Sequence, residues 1–422
     1  MCSSDLNFLP STSTPNFLSN NILDFLSNHS ELYNKLNTLS FQLSSAKENL
    51  IAQTYLLYSP TDKVNNESIW ETKLDTTIIS SPEFVLNHKT GMTEMIVQDV
   101  NKNLYLIGNT GKILWKKEIE DLKKSAIFQV DFYKNNKLQY LFNTATAIHL
   151  IDRNGNEVAG FPVSLNIPST NAINVFDYEK NGDYRIIYVD TLNKIHVLRS
   201  DGKPVDGFEF AGTKKRVTQP VEWHRINSKD YLMVTDIEGN FYGLGRKGEK
   251  RLAITHSIFC ANDGLSIQYG KGIDKSAIFF YDIQNKSLNK TRLNNEIEKI
   301  EIKTELENPK WFLLKKTQND NFDLILIQNN NLEAFDNQGK LIQSLKFDNE
   351  LTPSLKKITK SKSIYYSTIT QNGQSILLDG NFKKISAYNF KSTQPPVCEM
   401  LNDDGFFYII TINDDLISAY SF

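Results

Sequence analysis

A polar turn ending in glycine follows a short apolar strand again and again along this 422-residue chain. Leu104-Tyr105-Leu106-Ile107 precedes Gly111, Ile148-His149-Leu150-Ile151 precedes Gly155, and Ile195-His196-Val197-Leu198 precedes Gly202. Phe241-Tyr242-Gly243-Leu244 precedes Gly248, and Leu332-Glu333-Ala334-Phe335 precedes Gly339. The glycines lie 44, 47, 46 and 91 residues apart, so one degenerate unit is expected between Gly248 and Gly339, with strands over 265–269, 277–282, 287–293 and 297–302. A period near 45 residues carrying four short strands is that of a propeller blade. Glycine suits the turn between the third and fourth strands because that turn often needs one residue at positive φ.

An earlier hairpin repeats in step. Val130-Asp131-Phe132-Tyr133 turns at Asn135-Asn136, Val175-Phe176-Asp177-Tyr178 turns at Asn181-Gly182, and Glu222-Trp223-His224-Arg225 turns near Asn227-Ser228. Trp70 and Trp115 sit in matching settings 45 residues apart. At the far end 396–401, 406–412 and 416–422 supply three strands, while 68–74 is an orphan fourth strand at the near end. Pairing them closes a ring and removes free sheet edges. Dividing the 355 residues of 68–422 by this period gives about 7.9 units, so the fold class expected is an all-β propeller of eight four-stranded blades, with seven the alternative.

Residues 7–60 differ in kind. Apolar positions Ile22, Leu23, Phe25, Leu26, Leu32 and Leu36 recur at helical spacing after Asn20 or Asn21, and 39–43 and 50–58 read as two strands joined by a polar turn over 44–49. A helix and a hairpin make too small a core to stand alone. This segment is expected to be the end of an α+β domain, with 61–67 as the linker to the propeller. Met1-Cys2-Ser3-Ser4-Asp5-Leu6 matches the translation of a common sequencing-library adapter. Residues 1–6 are therefore expected to be foreign, the native chain to extend upstream, and any leader or membrane anchor to belong to that upstream part.

Composition excludes several classes. The formal net charge is −2, without the basic excess that neutralises a nucleic-acid backbone. No stretch approaches the ~18 apolar residues of a membrane-spanning helix. Apart from Cys2, the cysteines are Cys260 and Cys398, too far apart in sequence for a paired zinc motif and expected to be buried thiols. Aromatic residues make up 11% of the chain, which suits a large core of pleated surfaces.

Asn109-Thr110-Gly111-Lys112-Ile113-Leu114-Trp115 resembles the Gly-Lys-x-x-Trp core of the PQQ-like, quinoprotein-type propeller repeat, and Ser68-Ile69-Trp70 is similar to a partial echo of it. Units containing Gly160-Phe161-Pro162-Val163 and Gly207-Phe208-Glu209-Phe210 are similar to uncharacterised bacterial envelope proteins in which an α+β domain of unknown function precedes a PQQ-like propeller. The resemblance implies a periplasmic or envelope-facing position and no established activity. Quinone enzymes of that family hold the cofactor against a vicinal Cys-Cys disulfide, and no two cysteines are adjacent here. No cofactor is expected.

The remaining candidates each have a plainer reading. Asp177-Tyr178-Glu179-Lys180-Asn181-Gly182-Asp183-Tyr184-Arg185 resembles a calcium loop, but Arg185 stands where a carboxylate is needed, so an Asn-Gly hairpin is expected. His29, His88, His149, His196, His224 and His256 show no metal-binding spacing, and His149 and His196 occupy equivalent repeat positions. Lys214-Lys215-Arg216 and the Lys356, Lys357, Lys360, Lys362 cluster are expected on solvated loops or protected strand edges. Trp223 and Trp311 are expected in packing between blades. With no catalytic, cofactor or metal residues found, the expectation is a non-enzymatic docking scaffold for another protein. The alternative is binding or hydrolysis of a carbohydrate or small polar molecule at the mouth of the central channel.

Overall fold

The computed structural model describes residues 36–46, 49–58, 67–260, 264–315, 322–360, 363–385, 388, 390–403 and 405–422. They form two units that divide at 65/66. In the first, β1 (Leu36–Ala46) and β2 (Asn49–Tyr58) make an antiparallel hairpin in which Ala46 faces Asn49. The strands are longer and the turn tighter than the polar run over 44–49 suggests, because Ser44 and Ser45 continue the ladder opposite Ile51 and Leu50. Leu36, counted above among the helical positions, opens β1 and pairs with Tyr58; the rest of the expected helix lies outside the described residues.

In the second unit eight antiparallel sheets follow one another, each built from strands consecutive in sequence except the last. Blade 1 contains Glu83–Leu86, Thr93–Gln98, Asn103–Ile107 and Ile113–Glu118, in that order from channel to rim. Blades 2 to 7 repeat it over 128–164, 174–199, 222–252, 266–301, 310–346 and 356–379. The degenerate unit expected before Gly339 is blade 5, with strands Ser266–Gln268, Ala277–Asp282, Ser287–Arg292 and Ile297–Glu301. Two blades have three-stranded sheets. In blade 3 the outermost strand is reduced to a bridge of Leu198 with Pro204, and in blade 7, among the described residues, to the bridges of Leu378 with Lys384 and Gln374 with Lys391. In blade 3 the bridging residue is a proline, which lacks the amide needed to continue the ladder.

Blade 8 is assembled from both ends of the unit. Val397–Glu399, Tyr408–Asn413 and Leu416–Ser421 are joined at the rim by β3 (Trp70–Lys73), in the register Trp70 with Ala419 and Lys73 with Leu416. The second and third strands of the blades are buried on both faces, so the core is a ring of clusters between neighbouring blades. Met95, Tyr105 and Ile107 of blade 1 meet Ile410 and Ile417 of blade 8, for example, and Tyr140 and Phe142 of blade 2 meet Leu104 and Leu106 of blade 1.

The glycine turns act as joints of this ring. Gly111, Gly155, Gly202, Gly248 and Gly339 all have φ between 77° and 87°. Their space is filled by the rim of the preceding blade. A Cβ on Gly111 would lie 2.6 Å from the Trp70 ring, and one on Gly155 would lie 3.2 Å from Trp115. The Trp115 indole also donates to the Arg153 carbonyl at 2.8 Å, and Thr72 Oγ1 donates to the Gly111 carbonyl. Glycine is thus required twice, for its left-handed backbone and for the ring lying against it.

Two blades make the same turn without glycine. Asn295, 47 residues after Gly248 and 44 before Gly339, has φ 79°, and its amide donates to the Arg292 carbonyl as that of Gly111 does to Gly108. Its side chain meets Thr255 through the Thr255 amide at 2.9 Å. In blade 7 Phe382 takes the position with φ 63° and stacks on Tyr366 at 4.5 Å with 4° between the rings. A left-handed non-glycine residue costs about 1–2 kcal/mol. Full burial of the Phe382 ring offsets that by a similar amount, about 1.5–3 kcal/mol.

Candidate functional site

Strand alternation sends the second-to-third turns and the connections between blades to one end of the ring, and the glycine turns to the other. The first group is held by a repeated device. Asp99, Asp190 and Asp236 are buried, and each accepts the backbone amide four residues ahead through Oδ1, at 2.8, 2.9 and 3.1 Å. Their second oxygens hold the side chain of the following strand: the Tyr105 hydroxyl at 2.9 Å, His196 Nε2 at 2.7 Å and the Tyr242 hydroxyl at 3.0 Å. Incoming connections pair with the same turns, Val100 donating to the Thr77 carbonyl, Thr191 to Pro168 and Ile237 to Arg216.

Rigid turns of this kind hold side chains out into solvent. Leu192 is 72% exposed, Ile237 56% and Val100 51%, all on second-to-third turns, and Phe259 on the connection after blade 4 is 46% exposed. Around Leu192 and Ile237 the charge is positive. Lys214, Lys215 and Arg216 lie on the connection from blade 3 to blade 4, next to Ile237, and Lys194 closes the Leu192 turn. Lys215 pairs with Glu238 at 2.9 Å, whereas the side chains of Lys194, Lys214 and Arg216 have no ion-pair partner among the described residues. The opposite sector of the same end carries exposed Glu305, Glu307, Asp348 and Glu350. Lys214-Lys215-Arg216 therefore does lie on a solvated loop, but one that borders exposed apolar side chains, which sequence spacing alone does not reveal.

At the other end of the ring the Asp177 loop is a capped turn. Its carboxylate accepts the Asn181 amide at 3.1 Å and the Gly182 amide at 2.8 Å, and Asp131 repeats this with Asn135 and Asn136 at 2.9 and 2.7 Å. Arg185 donates to the Asp183 and Tyr184 carbonyls, and Lys134 pairs with Asp183 at 2.7 Å, so cations occupy the surroundings of this loop. Trp223 packs edge-on to Tyr178 at 5.5 Å and donates to Asp230, and Trp311 is buried between blades. Lys356, Lys357 and Lys360 lie on the innermost strand of blade 7, Lys356–Lys360, an edge that faces the channel. Cys260 and Cys398 are half-buried, and desolvation pushes both thiols up to about 12, which keeps them protonated.

His149 and His196 occupy equivalent strand positions and each stacks on an aromatic ring of the neighbouring strand, Phe142 at 5.0 Å and Tyr188 at 4.7 Å respectively. Their acids differ. His196 meets Asp190 of its own blade, whereas His149 lies between Glu157, 3.3 Å from Nδ1, and Glu120, 3.0 Å from Nε2, with Lys117 pairing Glu157 at 3.5 Å. Burial by itself would lower the His149 pKa, but the hydrogen bonds and charges of the two glutamates outweigh it and raise it. A raised folded-state value stabilises the protein fully below the unfolded value near 6.5, and that stability is lost as pH climbs through the folded value. Glu120 is shifted the other way: burial would raise it, but Thr144 and His149 hold it low, so its contribution is lost only in acid. The stability lost on His149→Gln, measured by thermal unfolding against the parent protein, should thus be larger at pH 6 than at pH 8.5; equal losses at the two pH values would count against this assignment.

The innermost strands also border two cavities open to solvent. One, of about 310 Å³, is bordered by Glu222, His224, Tyr269, Phe312, Lys315 and Phe322, from blades 4, 5 and 6. The other, of about 320 Å³, shares Phe312 and continues along blades 6 to 8. Among the described residues no group of three or more His, Cys, Asp or Glu has the arrangement of a metal site.

No protein-family model matches the chain, and no curated protein matches it in sequence. Among solved structures it is similar to dihydro-heme d1 dehydrogenase NirN in complex with DHE, with TM-score 0.50 and 11% identity over 86% of this chain and 82% of that one. It is also similar to BamB from Moraxella catarrhalis, with TM-score 0.49 and 14% identity over 84% of this chain and 99% of that one. A third likeness is to BBS1N in complex with ARL6DN, with TM-score 0.46 and 12% identity over 84% and 96%. At such identities the likeness is one of fold, and the chain is a β-propeller of eight blades.

Proposed function

We propose that this propeller is a non-catalytic docking scaffold of the bacterial cell envelope, and that its partner is a protein presenting an acidic, partly apolar segment to the end of the ring at blades 3 and 4. The observation that carries the reading is the juxtaposition of exposed Leu192 and Ile237 with the cations of Lys194, Lys214 and Arg216, which have no ion-pair partner among the described residues. Apolar anchors ringed by charge are the usual make-up of a recognition surface. A broad anionic surface would also meet Glu305, Glu307, Asp348 and Glu350, whereas a partner of limited footprint meets only the basic sector. The envelope position rests on the likeness of the repeats to PQQ-like envelope proteins. Among the described residues no helix is long and apolar enough to cross a membrane.

Photo-crosslinking in native cells tests this. A benzophenone side chain at Leu192 or Ile237 should yield one discrete protein adduct, weakened by Lys214→Glu with Arg216→Glu, while the same group at Tyr133, at the other end of the ring, should not. The same adduct from Tyr133, or none from Leu192 and Ile237, would refute the placement.

A further inference from the structure

The end of the ring that carries the glycine turns has an electrostatic and apolar character of its own. Exposed acids there are paired with neighbouring cations: Asp183 with Lys134, Glu179 with Arg246, Asp201 with Lys203 and Glu249 with Arg251. Lys89, Lys112, Lys137, Lys180, Lys247 and Lys271, on turns of blades 1 to 5 at the same end, are exposed and have no ion-pair partner among the described residues. Against them stands Asp403, an exposed acid of blade 8. Apolar side chains project from this end where blades 8, 1 and 2 meet. Phe406 is 61% exposed, Tyr133 54%, Leu86 46% and Met400 39%. The turns that carry them are tied together. Thr93 donates its amide to the Leu401 carbonyl at 3.2 Å, and the Asn109 side chain donates to Asn402 at 2.5 Å. Gln129 exchanges two hydrogen bonds with the Leu86 backbone, and the Leu138 amide donates to His88 Nδ1 at 3.2 Å. Desolvation, and then the charges of Arg153, Lys89 and Lys137, lower the pKa of His88, so the positive charge of this sector is carried by its lysines.

These features restrict what can cover the surface. A second copy of the chain, brought up about a two-fold axis, sets lysine against lysine. A compact acidic segment of the kind that fits blades 3 and 4 at the opposite end reaches only a few of the cations, which are spread over five blades. A nucleic-acid backbone meets the cations but leaves Phe406, Met400 and Leu86 in water. A bilayer with anionic headgroups satisfies both sets of side chains. Its negative surface potential attracts lysines near the surface, and its interface takes up apolar side chains that project singly between them. Tyrosine, with an apolar ring and a polar tip, is suited to the same layer. We infer that the glycine-turn end of the ring at blades 8, 1 and 2 binds an anionic lipid surface, with Phe406, Met400, Leu86 and Tyr133 entering the headgroup layer and Lys89, Lys112 and Lys137 meeting its charge. Leu192 and Ile237, at the opposite end, then face away from the membrane. The inference does not depend on the protein-docking reading of that opposite end.

Flotation of the purified full chain with lipid vesicles tests the assignment. Vesicles of phosphatidylcholine with about a third phosphatidylglycerol should carry the protein, vesicles of phosphatidylcholine alone should bind it at least about tenfold more weakly, and added salt should weaken the binding. Lys89→Glu with Lys137→Glu, and separately Leu86→Ser with Phe406→Ser, should each weaken it by about tenfold or more. Lys214→Glu with Arg216→Glu, a charge reversal of the same size at the opposite end, should leave it unchanged. A thermal transition like that of the parent protein shows that each variant is folded. A benzophenone side chain at Tyr133 should form lipid adducts on the anionic vesicles, and one at Leu192 should not. No flotation with the anionic vesicles, equal binding to phosphatidylcholine alone, or equal losses in the two charge-reversed pairs would overturn the inference. A discrete protein adduct from Tyr133 in cells would overturn it in favour of a protein partner. The adduct expected from Leu192 is read in cells and the flotation on purified protein, so failure of the lipid surface and failure of the docking site are distinguished.

Discussion

Deleting residues 68–74 is expected to abolish the cooperative unfolding transition of the propeller at physiological temperature, whereas deleting residues 1–60 should leave it close to that of the full chain. The strand Trp70–Lys73 is the rim of blade 8, and its loss exposes the edge of Leu416–Ser421. Buried Leu74, and Trp70 packed on the cluster of Met95, Tyr105 and Ile417, go with it. Loss of a buried leucine alone costs about 2–5 kcal/mol. Set against the 5–15 kcal/mol typical of a whole domain, the removal of that side chain, the tryptophan contacts and the ladder together leaves little or nothing. Calorimetry of the two truncations checks this, and matching transitions in both would contradict it.

The second large effect is expected at Gly111. Both Gly91 and Gly111 are left-handed, at φ 76° and 83°, but an added Cβ meets nothing within 4 Å at Gly91 and the Trp70 ring at 2.6 Å at Gly111. Gly91→Ala should cost only the backbone term, about 1–2 kcal/mol. Gly111→Ala adds overpacking of the joint between blades 8 and 1, about 1–3 kcal/mol more. Urea unfolding at constant m measures the difference. Equal losses in the two variants would mean that the Trp70 contact is not a structural joint.

The repeat made much of the architecture legible because one backbone requirement, the left-handed turn, recurs with one residue type. It faded where another side chain meets the same requirement. Asn295 does so by bonding to Thr255, and Phe382 by burying its ring on Tyr366, so the glycine signal vanished from blades 5 and 7 although the turn persisted. The candidate sites were harder to read. Leu192 and Ile237 look like ordinary strand-end residues until the Asp190 and Asp236 turns are seen to hold them outward. Glu222, Tyr269 and Lys315 are separated by 47 and 46 residues and meet only because three blades share one channel. His149 and His196 were correctly equivalent in position, but the second glutamate at His149 comes from the connection after blade 1, which no periodicity marks.

The docking end belongs to a ring closed by the strand Trp70–Lys73. That closure is tested most directly by a pair of cysteines at Lys73 and Leu416, register partners at the end of the closing ladder, in a chain with Cys2, Cys260 and Cys398 replaced by serine. Directly opposed residues of antiparallel strands fall in the Cα separation of a disulfide, about 4.5–5.5 Å. Mild oxidation of the native protein should give nearly complete intramolecular crosslinking of this pair and little for the off-register pair Lys73→Cys with Ser418→Cys. No crosslink at 73 and 416, or equal yields for the two pairs, would contradict a propeller closed in this way.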